Sequence, residues 1–370
     1  VILANAAPGE IRVALVIDNE LIDYALWRPG STDGFGDVHL ARVIARVPAM
    51  AGCFLALAGG EEGFLPDSAG GRRASAGQVM AVEVTRAAHG GKGKRLAAWG
   101  GPVPPDGKAG LILRGADPLR VMAERFPQAR IAVDHPSLMR LLPAGLSERV
   151  SQVTQAFPPE IEERVMALAE PSIVLKGGAI LHIEPTSALT AIDVDAGAAT
   201  AARRDKRAMQ TELNHMIMPA LARQIRLRNL AGAIVVDFAG LPVRARAALA
   251  PALTEALAAD PLQPRLLGFT GLGFAEIIRP RQRPPLHELL ATPLAAGLAA
   301  LREAATQPTK ALRLRAAPGV VAALETDAVG LADLAHRCVY PLDLRSDPSL
   351  QERQWRLEEV SHGGLIRRDG

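Results

Sequence analysis

Two aspartates set in short apolar runs are the residues of this chain best suited to chemistry: Asp193 in AIDVDAG (191–197) and Asp237 in GAIVVDFAG (232–240). An ionised carboxylate is costly to leave buried and alone, so a pair of them at the ends of β-branched runs points to a shared cation. Magnesium prefers one or two carboxylates and keeps several waters, so two aspartates are enough to hold it. At a phosphodiester such a cation neutralises developing charge and lowers the pKa of a bound water. The competing reading makes each aspartate a strand-end carboxylate that satisfies a turn amide. Asp195 adds a third negative charge that could recruit metal or repel substrate, and at a few ångströms that repulsion is roughly 1–4 kcal/mol in water-like to intermediate surroundings.

Side chains able to hold a polyanion lie along the same chain. In ARQIRLRN (222–229), Arg223 and Arg226 are one helical turn apart, with Arg228 close behind. They could face a phosphate together or form a solvated helix face. Arg203, Arg204, Lys206 and Arg207 make a basic run whose better reading is an exposed loop, and Arg279, Arg281 and Arg283 follow FAEII. Lys92 and Lys94 in GGKGK (90–94) would bring ammonium groups and backbone amides to phosphates, although that motif alone is weak. Phe54 and Phe64 could stack on unpaired bases, worth about 1–3 kcal/mol per base, but aromatics in a small barrel are more often core. GFTGLG (268–273) follows no βαβ pattern and lacks a Walker lysine, so it is no nucleotide loop. The histidines show no metal-ligand spacing.

The elements that must position these residues read as a mixture of strands and helices. Residues 11–28 form a hairpin with Asn19 and Glu20 as its turn. Short β runs at ARVIAR (41–46), CFLALAG (53–59), GFLP (63–66) and QVMAVEV (78–84) suggest a small barrel, with SAGGRR (68–73) as a mobile loop. GLILRG (110–115) and ARIAVDH (129–135) read as strands around a helix at PLRVMAERF (118–126). A long helix is expected over 206–229, kinked or re-phased at Pro219, and another over 243–259. GAIVVDF and FAEIIR are strands, and beyond Pro285 a helical segment runs to about Ala305, before ALRLRAAPGVVAALE (311–325).

The 370 residues allow two or three domains with real cores. The net charge is only +3, but arginine far outnumbers lysine and its clusters are local, which favours a polyanionic partner. Cys53 and Cys338 form no CxxC, and an ordinary buried thiol at Cys53 fits a reducing cytoplasm. No signal-like start is evident, and apolar stretches such as LATPLAAGLAAL (290–301) are too short and interrupted to span a bilayer, so a soluble cytoplasmic protein is expected.

The order of the AIDVDAG, ALARQIRLRNL, GAIVVDFAG and LLGFTGLGFAEIIRPRQRPPL motifs resembles the catalytic half of the ribonuclease E/G family, endoribonucleases that cut single-stranded RNA with magnesium. GFGDVHLARVIARVPAMAGCFLALAGGEEGFLP (34–66) is similar to the family's RNA-binding OB-fold insert, with Phe54 and Phe64 at its two aromatic positions, and AAHGGKGKRLAAW (87–99) to the loop that closes it. The resemblance covers most of 11–286, with a fainter likeness over roughly 310–360. It implies an α+β multidomain fold: a ribonuclease H-like layer over 1–35 and 101–180, the OB-fold insert over 36–100, a DNase I-like catalytic domain over 181–290, and a linker, small C-terminal domain and tail over 291–370. It makes Asp193 and Asp237 the Mg²⁺ ligands, and the candidate catalytic residues are Asp193, Asp237 and Asp195. Phe54, Phe64, Lys92, Lys94, Arg114, Arg223, Arg226, Arg228, Arg279 and Arg281 become RNA contacts.

Several positions depart from the family pattern. Asp195 stands where the family has an asparagine that donates a hydrogen bond, which an ionised aspartate cannot do. The catalytic helix reads Thr211-Glu212-Leu213-Asn214, and ARRDKRAMQ (202–210) replaces the usual acidic pair. Arg114 matches the arginine that contacts an RNA 5′ phosphate, yet its neighbouring threonine is Gly115 and an expected basic residue is Gln263, which weakens that sensor. The CPxCxG zinc link is missing, so a monomer or homodimer without a zinc-joined tetramer is expected. The resemblance implies a Mg-dependent endoribonuclease acting on single-stranded RNA; the alternative is a catalytically impaired RNA-binding relative.

Overall fold

The computed structural model describes residues 1–104, 107–197 and 206–360, the side chains of 206–209 excepted. These fall into two compact units, one made of Val1–Thr32, Asp117–Val165 and the segment from His287, the other of Asp33–Ala116 and Met166–Leu286. Both mix helices with sheets.

The first unit holds a five-stranded sheet in the order Val150–Gln152, Ile131–Val133, Ile2–Ala7, Glu10–Ile17, Glu20–Trp27. Its hairpin turns on Asp18 and Asn19, both left-handed at φ 48° and 61°, one residue earlier than the sequence reading. Aspartate and asparagine tolerate that conformation, and two such residues match the twist of a tight hairpin. Helix Pro118–Arg125, capped by Asp117, covers the sheet with Leu119, Met122 and Ala123. A three-stranded sheet, in the order Asp343–Ser346, Leu312–Ala316, Trp355–Glu359, packs on helices Pro293–Ala305, Pro318–Thr326 and Ala328–Arg337. Buried Glu10 accepts from Arg28 at 3.1 Å and Arg302 at 2.5 Å, which satisfies a charge that would otherwise be costly inside.

The second unit contains a closed five-stranded barrel. Val38–Val47 pairs with both Gly52–Ala56 and Val79–Arg86, and the circle is completed through Glu62–Pro66 and Lys94–Ala98. Register shifts at Val43/Ala45 and Val84/Arg86 supply the bends that closure needs. Val43, Cys53, Leu55, Leu65, Val82, Val84 and Leu96 fill the interior. SAGGRR, expected as a mobile loop, contributes to two 3-10 turns, Asp67–Ala69 and Gly71–Arg73. Arg46 bonds Asp67 and the Gly71 carbonyl beside them.

The same unit carries a six-stranded sheet in the order Ser172–Val174, Ile180–Pro185, Thr190–Asp195, Gly232–Asp237, Ala275–Arg279, Arg265–Phe269. Only its two central strands are parallel, joined by helix Lys206–Leu227. Leu213, Ile217, Leu221 and Ile225 recur every four residues along that helix and bury against Leu181, Ile192, Ile234, Val236 and Ile277. This ridge is anchored on both sides of Pro219, and the helix runs through the exposed proline as the one long element expected. The single helix expected over 243–259 is instead divided into Val243–Arg246, a 3-10 turn at Ala247–Leu249, and Ala250–Leu257. Pro251 lacks an amide proton and restarts the helix in its first turn.

Candidate active site and RNA-facing surface

Parallel pairing sets Asp193 opposite Asp237, at the C-terminal ends of the two central strands. Adjacent strands lie about 4.8 Å apart and paired residues point to the same face, so the two carboxylates are neighbours. Their strand neighbours Ile192, Val194 and Val236 alternate into the core beneath the helix, leaving the aspartates on the opposite, solvent-facing side. The row continues outward through His182, paired with Asp193, to Ser172, whose hydroxyl lies 2.8 Å from His182 Nδ1. Sequence spacing had shown nothing of His182 or Ser172, because strand register alone brings them there.

Asp237 accepts from Arg246 Nη1 at 2.5 Å through Oδ1. Asp195 projects from the same face as Asp193 but turns back, its Oδ1 accepting from the Gly197 amide at 2.9 Å. Behind the sheet, fully buried Asn214 donates from its amide to Gln210 O at 2.8 Å and Ala239 O at 3.1 Å, tying the long helix to the loop that follows Asp237. Among the described residues no group of three or more His, Cys, Asp or Glu is arranged to hold a metal ion. What remains is two carboxylates, hard oxygen donors of the kind and number that magnesium accepts with water completing its shell. To that extent the residues fit the ion.

The basic residues separate by burial. Arg223 and Arg226 are half-buried on the long helix, Arg226 reaching Ala259 O at 3.4 Å. Arg228 is 5% exposed, and its guanidinium is spent on Gln224, Glu170 O and Ala167 O; burial pushes its pKa down to about 10. Arg279, 3% exposed, is bound to Asp260, Asn229 and Leu230 O. Lys94 is buried against Glu61 at 2.5 Å. Each of these three cations is thus buried and already bonded within the protein, Lys94 to a Glu61 carboxylate that is itself exposed. Arg281 is half-buried and Lys92 exposed, while Arg283 grips Asp33 through both carboxylate oxygens and lies over Phe35. Arg203 and Arg204 lie outside the described residues, as do the side chains of Lys206 and Arg207. Arg114, 63% exposed, reaches Asp37 at 2.6 Å. At Gly115 a Cβ would stand 2.1 Å from Phe35 O, so the family's threonine has no room without a backbone shift.

Phe54 and Phe64 do not fill the barrel. They pair across strands on its outer face, ring centroids 5.3 Å apart at 59°, while Cys53, Leu55 and Leu65 point inward. The same outer row runs on through Arg95 to Arg86. Burial, and then the nearby charges of Arg95 and Arg281, hold the Arg86 guanidinium below its usual range, which marks a local excess of positive charge. Arg86 and Arg95 were not singled out from sequence; only the barrel register aligns them with the aromatic pair.

Residues 139–282 match the Ribonuclease E/G family. The chain is 38% identical over 132 residues to ribonuclease E of Nostoc sp., covering 35% of this chain and 19% of that one. It is 32% identical over 133 residues to ribonuclease G of Escherichia coli strain K12 (35% and 27%), and 33% identical over 125 residues to ribonuclease E of Synechocystis sp. (34% and 18%). The matched segment thus spans about a quarter or less of these relatives. Over that part of its length, the chain is similar to members of the ribonuclease E/G family.

Proposed function

We propose that this chain is an endoribonuclease that cuts single-stranded RNA at a magnesium ion held by Asp193 and Asp237. The observation that carries the reading is the register that sets these two carboxylates side by side on the open face of the sheet. The ion would supply charge neutralisation at the scissile phosphate and a bound water of lowered pKa. Phe54 and Phe64 would stack on unpaired bases, with Arg86, Arg95 and Arg281 beside them taking the phosphates. Arg223, Arg226 and Lys92 extend the cationic surface, and Arg114 is a candidate for a 5′ phosphate.

In the same reading the barrel is an OB-fold, the six-stranded sheet is the DNase I-like catalytic layer, the sheet of the first unit is ribonuclease H-like, and 291–370 holds the small C-terminal domain. Catalytic impairment is a second reading, favoured by the extra charge of Asp195 and by the arginine already seated on Asp237. The test is cleavage of a fluorescent single-stranded oligoribonucleotide with and without Mg²⁺. Asp193→Asn and Asp237→Asn are each expected to abolish Mg²⁺-dependent cutting while leaving RNA binding largely intact. A wild-type rate in either variant would remove the assignment.

A further inference from the structure

We propose that Arg246 is a built-in counter-cation of the Asp193–Asp237 pair, one that occupies Asp237 when no metal is bound and gives the site a high divalent-cation requirement. This rests on reading the two aspartates as a metal site. The contact is a built one. Arg246 Nη1 donates to Asp237 Oδ1 at 2.5 Å and to Gly273 O at 3.2 Å, while Nε donates to Leu241 O at 2.9 Å. The arginine side chain is 12% exposed against 41% for Asp237, so the cation is fixed from behind and the carboxylate faces solvent. Gly273 has φ +91°, and a Cβ there would come within 3.0 Å of Arg246 Cδ, so the turn between the last two strands of the sheet is shaped around the arginine. The short helix that carries Arg246 ends where the 3-10 turn begins, which delivers the side chain to the end of the Asp237 strand.

A planar guanidinium pinned by two carbonyls cannot retreat the way a free lysine stem can. Its positive charge lies against Asp237 whether or not a metal is bound. A divalent ion entering between Asp193 and Asp237 must then share Asp237 with a second cation. Like charges a few ångströms apart in water-like to intermediate surroundings cost on the order of 10- to 1,000-fold in affinity.

The test is calorimetric titration of the purified chain with Mn²⁺ alone, in the absence of RNA. Arg246→Gln is expected to bind Mn²⁺ at least about 10-fold more tightly than wild type, and Arg246→Lys, which keeps the charge but can swing away from Asp237, to fall between the two. Arg246→Met, which keeps the aliphatic stem, carries the same expectation as Arg246→Gln if the latter does not fold. Unchanged or weaker binding in the neutral variants overturns the proposal, because Arg246 would then be orienting Asp237 for the metal. Asp237→Asn run in parallel separates the two ideas: lost binding keeps the metal pair and isolates the role of Arg246, whereas wild-type binding removes the pair and the proposal with it.

Discussion

Asp195 is the residue at which this chain departs most directly from the chemistry its neighbours imply. Its Oδ1 accepts the Gly197 amide, a bond that an asparagine oxygen would also make, so Asp195→Asn keeps the turn while removing one negative charge from the face that carries Asp193. The amide adds a donor that the ionised carboxylate lacks. If the extra charge repels the scissile phosphate by roughly 1–3 kcal/mol, Asp195→Asn cuts about 5- to 150-fold faster, or at lower Mg²⁺, in single-turnover assays. Loss of an existing activity would instead make Asp195 a ligand of a two-metal centre, and a chain inactive before and after would favour impairment. At this scale the sequence carried the aspartate pair but not the fate of the cations. Arg226 and Arg228 look equivalent in IRLRN, as do Arg279 and Arg281 in IIRPR, yet burial consumes Arg228 and Arg279 in internal bonds. No local pattern distinguishes them, since the deciding groups, Glu170 and Asp260, come from elsewhere in the chain.

Among the elements, the barrel shows how register turns a string of short strands into a surface. Alternation sends Cys53, Leu55 and Leu65 inward and leaves Phe54 and Phe64 on the outer face beside Arg95 and Arg86. The barrel also carries a pH-sensitive contact. Burial holds the His39 imidazole below its ordinary range, against the opposing pull of Asp37, and its Nδ1 lies 3.4 Å from the Ala58 amide it accepts from. An unfolded chain takes up a proton at His39 near pH 6.5, while the folded barrel resists it to lower pH. The unfolded state then binds more protons, so this contribution is fully present above about pH 6.5 and is lost as pH falls below it. Urea midpoints measured at pH 7.5 and 5.5 are expected to drop on acidification, with a smaller drop in His39→Gln; an equal drop in both would remove His39 from the account.

On the scale of the whole molecule, the local arginine clusters of a nearly neutral chain predict RNA binding that weakens steeply with salt, because each neutralised phosphate releases counterions. Replacing Arg95 by Ala is expected to lower the slope of log affinity against log salt by about one, and a salt-independent affinity would rule out the cationic surface. The sequence by itself determined the mixed α/β character, the small barrel, the apolar runs that become central strands, and the aspartates at their ends. These are properties of local period and composition, which a chain expresses before it packs. Tertiary structure decided the rest. Parallel register made neighbours of Asp193 and Asp237 and brought His182 into their row. The interruption restarted at Pro251 delivered Arg246 to Asp237, and bonds to carbonyls and carboxylates hold buried Arg228, Arg279 and Lys94 within the protein. Each of these depends on groups carried by separate elements of the chain or on which side of a strand or helix meets the core, and neither is written in any one segment.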